Sequence, residues 1–410
     1  MLPQASRTAG RIHLAMVATA ALLGSAFGGL AAPYRPTDGP TVILTVSPAS
    51  AAIKRALHDR GGQPGLRGMT LAAALDSARL AIRDGRREAD PRRYGQAQAA
   101  LGPWWSDPNC PLEARLLRAV IRQALHDFSG AVADLDAILD SDPDNAQARL
   151  SRAFVHQATG AIAAARHDCR NLPARVGRLA AAVCRGRIMA LTGEGEAALD
   201  TIARAIAIDR TSDPEMRRWA AATAADIAVS LARSDAALHW FARAIDADAD
   251  VPTLVDYADF LLDAGRPGEV IALLEHRKPG DMALLRLAIA AKAAGDPRAT
   301  AWSALLSEGF ALARATGNAL HLREEARFTL EVLGDAQRAV DLALRNWAVQ
   351  KEPADARVLL AAALAAERPR AVDAVVAFIA ESGLEDARLT GLLDRLARIR
   401  RSGGLGSSGL

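Results

Sequence analysis

The strongest constraint on this chain is a turn that keeps returning. In HDFSGAVADLDAILDSDPDNAQA, residues 126 to 148, the residues Phe128, Ala131, Val132, Leu135, Ile138 and Leu139 recur at three- and four-residue spacing and so line one face of a helix. Pro143 lacks the amide hydrogen that a helix interior needs and biases Asp142 away from helical geometry. Asp144 and Asn145 then offer side-chain oxygens to the free amides of whatever follows. One helix stops and another is capped at once. The second runs through Ala148, Leu150, Ala153 and Phe154 to Gly160, and a third apolar pattern begins at Ala161.

Laid on top of itself, the turn between first and second helix places His126, Gly160, Gly193, Ala232, Gly265, Gly295 and Gly334 at one structural position. The steps are 34, 33, 39, 33, 30 and 39 residues, scattered about the roughly 34-residue period of a two-helix repeat. Small or aliphatic residues follow at a matching offset, Ala131, Ala165, Ala198, Ala237, Val270 and Ala339, and let two helices approach closely. A chain built this way grows by stacking and needs no domain boundary. With 50% hydrophobic and only 4% aromatic residues, its interior is filled mainly by Ala, Leu and Val.

These residues, with Leu254, Tyr257, Ala258, Leu261 and Gly265 in TLVDYADFLLDAGRPGEV and with Ala119, Ala131 and Pro143 in the opening stretch, carry a likeness to a known family. The chain resembles the tetratricopeptide repeat proteins. The resemblance covers most of residues 70 to 384, with weaker copies from Thr70 through Trp104 and Trp105 and from Ala354 to Gly383. It departs from the pattern at Arg118 and Arg152, where the family has a large apolar residue, and at Arg210 and Ala249, which replace the late proline. The resemblance implies an all-α, right-handed α-solenoid of stacked antiparallel helix pairs, whose first helices line a groove for a protein or peptide segment. Carried over residue by residue, that groove falls on Gln123, Phe154, Gln157, Arg187, Asp226, Asp259, Lys292 and Phe328. Leu116 and Val120 occupy two of the sites where some members grip a carboxylate terminus, which argues against a chaperone-tail role.

Arg7 and Arg11 precede an uncharged run from His13 to Ala32 that reads as a secretory signal in residues 1–32, with cleavage after Ala26 or Ala31. The competing reading is an uncleaved anchor, because the run is close to the roughly 20 residues needed to span a bilayer. No later segment is long and apolar enough to cross without charges. The expectation is an exported, periplasmic protein with no stable membrane span after cleavage. Pro33, Pro36, Pro40 and Pro48 mark residues 33–68 as an extended leader. The solenoid is expected over 70–384, a capping helix with a charged outer face over 385–401, and a flexible tail over 402–410.

Fifty basic and 47 acidic residues, net +3, are interspersed along the helix faces. No basic run carries aromatic interleaving, so a nucleic-acid partner is not expected. A glycine-rich phosphate loop after a strand, an HExxH and a GxSxG are all missing, and the expected role is a non-catalytic scaffold in the bacterial envelope, without cofactor or metal. The rival is an envelope enzyme or a redox or metal-handling protein. Its site would lie at His321, Arg323, Glu324, Glu325, Arg327 and Phe328 with Asn346, Trp347, Gln350 and Glu352, or at the cysteines. Cys169 and Cys184 sit on neighbouring helices of adjoining repeats, so a disulfide is geometrically reasonable; two buried thiols acting as small apolar fillers is the other reading. His167 and Cys169, two apart on a helix, point about 200° apart and would not share a metal ion.

Overall fold

The computed structural model describes residues 69–277, 280–316 and 320–404. Among them the chain is all-α, with 19 α-helices in sequential antiparallel pairs. The pairs are α1 (Leu71–Glu88) with α2 (Pro91–Ala100), α3 (Leu112–Ala124) with α4 (Phe128–Ser141), and α5 (Ala146–Ala158) with α6 (Ile162–Arg170). Next come α7 (Arg178–Ala190) with α8 (Gly195–Ile208), α9 (Pro214–Ser230) with α10 (Ser234–Ala244), and α11 (Val251–Asp263) with α12 (Pro267–Leu274). The last are α13 (Asp281–Ala294) with α14 (Ala299–Ala315), α15 (Leu322–Phe328) with α16 (Ala336–Val349), and α17 (Pro353–Ala365) with α18 (Asp373–Ser382), followed by α19 (Ala387–Gly404).

The turn inside every pair has one backbone design. A single residue with positive φ separates first from second helix: Ala89, His126, Gly160, Gly193, Ala232, Gly265, Gly295, Gly334 and Glu367. At eight of the nine, the next amide reaches back five residues to a carbonyl of the first helix, as Asp127 N–H does to Arg122 O at 2.8 Å and Ala161 N–H to His156 O at 2.8 Å. That bond satisfies a carbonyl which the helix end would otherwise leave orphaned. At the ninth, α15 continues into a π-helical turn over Thr329–Leu333, and Asp335 N–H reaches six residues back to Thr329 O at 3.0 Å. The extra residue is part of the long step between Gly295 and Gly334. Between pairs, the stop at Pro143 is followed by Asn145, whose side chain accepts from Ala148 N–H at 3.0 Å and caps α5.

Packing within a pair is close because one position on the first helix stays small. Ala119 and Ala153 hold it in two repeats and Gly186 in the next, where an added Cβ would lie 2.7 Å from Cδ1 of Ile202. The two arginines that break the apolar pattern are consumed locally. Arg118 is buried and forks onto Asp134, with Nε–Oδ2 at 2.9 Å, and also donates to the carbonyls of Trp104 and Trp105. Thirty-four residues on, Arg152 forks onto Asp168 at 2.8 and 2.7 Å. In the following repeat Thr201 stands where the carboxylate was, and its partner position, Arg185, is exposed. Breaking one side of such a buried pair costs about 3 to 5 kcal/mol; where the carboxylate is missing, the arginine stays in solvent instead of being buried.

First helices pack on first helices of the next repeat, and the superhelix winds tightly enough that successive turns touch: α1 meets α11, and α9 meets α19. Lys351 donates its backbone N–H to Ala158 O at 2.8 Å and its ammonium to Thr159 O at 3.3 Å, across a separation of 192 residues for the latter. One turn thus caps a helix end of the other. Nearby, a Cβ on Gly193 would sit 2.8 Å from Gly383 O, and Leu191 joins the apolar cluster of Leu384 and Leu389. Arg388 bridges to Asp226 at 2.8 Å and Arg87 to Asp248 at 3.3 Å.

Cys169 on α6 and Cys184 on α7 form a disulfide, with Cα atoms 5.6 Å apart across a separation of 15 residues. Cys110 is buried and free, and burial raises its thiol pKa. No helix of the described residues is long and apolar enough to cross a membrane. The expected signal, leader and most of the tail lie outside the described residues.

Candidate functional site

A cavity of about 620 Å³ occupies the centre of the superhelix. Its walls come from the first helices α5, α7, α9, α11, α13, α15 and α17 and from α19; Phe241 is the contribution of a second helix. Thr223, Ile227, Phe260, Leu285, Val358 and Leu392 give it apolar surface between charged groups of both signs.

The acidic side is set by helix periodicity. Asp256, Asp259 and Asp263 are three and four residues apart on α11 and so share its inner face. Their cations arrive from later elements. Asp259 takes both a fork from Arg286, at 3.1 and 2.6 Å, and one bond from Arg327 at 2.6 Å. Asp263 takes Arg357 at 2.7 and 2.5 Å, and Asp226 on α9 takes Arg388 at 2.8 Å. These pairs stitch across the cavity, joining residues 68, 94 and 162 apart in the chain. Burial alone would raise Asp259, but Arg286 and Arg327 hold its carboxyl well below the usual range. Asp256 has no such partner. Enclosure by protein, with Asp226 and Asp259 close by, pushes it up to about 7, although its side chain is open to the cavity itself.

One wall is a buried polar network. Arg323 reaches Glu352 at 3.1 Å, Asp355 at 3.3 Å and Glu324 at 3.4 Å. Asn346 donates to Asp355 at 2.7 Å and Gln350 to Glu352 at 2.8 Å. Burial pushes Glu324 upward, but Arg323, Arg286 and His321 outweigh it and hold the group at about 2. Glu325, also buried, accepts from Arg314 and from Arg338 at 2.9 Å. Behind this wall lies a second cavity of about 320 Å³, lined by Tyr94, His126, His321 and Gln350 and sharing Met282, Arg323 and Glu324 with the first. The polar stretch of residues 321 to 352 is therefore a partition, its carboxylates bound to arginines from several helices. Trp347 is buried edge-on to Phe378, with ring centroids 5.5 Å apart.

Of the eight residues carried over as groove positions, Gln157, Arg187, Asp226 and Asp259 reach the central cavity. The other four stand elsewhere. Phe328 is 2% exposed in the core beside Phe310. Phe154 packs edge-on against Trp219 and lies beneath the Arg187 guanidinium. Lys292 donates to Glu331 O at 2.9 Å and Val332 O at 2.7 Å, capping the π-helical turn. Gln123 is half-buried and is not among the residues that line either cavity. Sequence reasoning missed Asp256, Lys351, Arg357 and Arg388. Arg357 was findable as a charge at an inner-face position of a first helix, but nothing local says that α17 and α19 return to the middle of the molecule. Among the described residues no group of three or more His, Cys, Asp or Glu side chains converges as a metal site.

No protein-family model matches this chain, and no curated protein sequence does. Among solved structures 17 chains match. One is the crystal structure of a Rap protein complexed with competence and sporulation factor, which is 13% identical, with a TM-score of 0.42, over 85% of this chain and 93% of that one.

Proposed function

We propose that this chain is a tetratricopeptide-type repeat protein that acts without catalysis, as an exported scaffold whose central cavity holds a peptide or a segment of another protein in the bacterial envelope. The observation that carries this reading is the lining of the cavity: inner faces of first helices from consecutive repeats, charged in both signs and interleaved with apolar surface. The 33- and 34-residue steps between turns and the small residue at a fixed offset support the family. Arg7, Arg11 and the uncharged run that follows support export.

The test is affinity capture from envelope extract, with residues 33–410 as bait beside a variant carrying Asp256→Ala, Asp263→Ala and Arg357→Ala. This set removes both partners of one ion pair and one unpaired carboxylate, so the fold should persist. A protein recovered by the wild type and lost by the folded variant is the expected result. Recovery of the same proteins by both would overturn the cavity as the binding surface.

A further inference from the structure

Among the cations around the central cavity, Arg187 and Lys351 differ from the rest. Arg286, Arg323, Arg327, Arg357 and Arg388 are each bound to carboxylates. Arg187 has none within ion-pair distance among the described residues. Its guanidinium lies over the ring of Phe154, 5.9 Å from the centroid, and its Nε donates to Gln157 Oε1 at 3.2 Å. Phe154 is itself fixed edge-on by Trp219 at 5.7 Å. The arginine is thus held from one edge and from below, while its two terminal nitrogens have no acceptor among the described residues. Gln157, 6% exposed, has used its oxygen on Arg187 and keeps its amide hydrogens.

Lys351 lines the same cavity from the other turn of the superhelix. Its backbone is bonded to Ala158, the residue after Gln157, and its ammonium uses one of three donors on Thr159 O. Asp256 and Glu385 line the same cavity, and neither forms an ion pair with Arg187 or Lys351.

We propose that Gln157, Arg187 and Lys351 form an anion site assembled across two superhelical turns, and that it takes the side-chain carboxylate of an acidic segment of the partner. This rests on the reading of the cavity as a segment-binding site. The planar fork of a pre-positioned arginine matches a carboxylate in two parallel bonds, and the neighbouring ammonium and amide supply further donors. Because the site exists only where the two turns meet, its occupant also favours their contact.

The probe is a capped triglutamate peptide titrated calorimetrically into the full chain, with sulfate at matched ionic strength as comparison. One-to-one binding is expected, weakened about tenfold or more by Arg187→Gln and by Lys351→Met, both with unchanged helical circular dichroism. The two changes lie on different turns, so a folding defect in one leaves the other informative. No binding, or binding that neither change weakens, would overturn the site. Sulfate bound as tightly as the peptide would overturn the carboxylate assignment in favour of a small free oxyanion. If capture yields a cavity-dependent partner while triglutamate fails to bind, the anion site falls and the scaffold reading stands; triglutamate bound without any captured partner supports the site and removes the scaffold reading.

Discussion

Asp256 and Asp259, three residues apart on one face of α11, titrate in opposite directions. Asp259 has two arginines on it; Asp256 has carboxylates for neighbours. The lowered group contributes stability that is present above its unfolded pKa and is lost as pH falls through the folded value. For Asp256, raised from 3.8 to about 7, the contribution is fully present below 3.8 and is lost as pH rises through 7. Replacing Asp256 by Asn should therefore flatten the decline in thermal midpoint between pH 5 and 8 and leave the variant more stable than wild type at the alkaline end. Equal slopes for the two proteins over that range would show that the carboxylate is not strained. Asp259 was legible as an inner-face position of a first helix. The contrast with Asp256 was not, because all four cations on this acidic side, Arg286, Arg327, Arg357 and Arg388, come from one to four repeats beyond α11. The aromatic groove positions misled for another reason: in an interior built of alanine and leucine, rings such as Phe328 and Phe154 are drawn into packing before they can line a surface.

The helix pairs themselves were readable, because the left-handed residue at each turn leaves a mark that needs no tertiary information. Five of the nine are glycines, and alignment on them located His126 and Ala232 as well. Ala89 and Glu367 escaped, since neither residue type signals positive φ. A side chain in that conformation costs about 1 to 2 kcal/mol, partly offset by the extra chain entropy that glycine loses on folding. Ala232→Gly and Glu367→Gly should each raise stability by about 0.5 to 1 kcal/mol, read as an upward shift of the urea midpoint at constant slope. A fall in the midpoint would mean that the native side chain makes a packing contribution larger than its backbone strain. The π-helical turn after Phe328 was invisible in the sequence, and it is stabilised by a lysine one repeat away rather than by anything local.

Contact between successive turns makes the whole molecule more closed than a row of stacked pairs. Gly193 tests this directly. Alanine there would combine a φ of +76° with a Cβ 2.8 Å from Gly383 O, whereas alanine at Gly265 would meet the same kind of backbone strain, φ +69°, with nothing within 4 Å. Gly193→Ala is expected to enlarge the radius of gyration in X-ray scattering while helicity stays constant, and Gly265→Ala to leave the radius unchanged. The same radius for both variants would argue that the turns are not held by this approach.

Most solenoids can gain or lose a unit and remain themselves, since each unit answers only to its neighbours. The bond from Lys351 to the end of α5 removes that freedom here. A tandem duplication of one unit anywhere between Gly160 and Lys351 would carry the lysine a whole helix pair beyond the carbonyls of Ala158 and Thr159 that it caps. The count of units in that interval is fixed by geometry, and descent by repeat expansion is open to this chain only at its two ends.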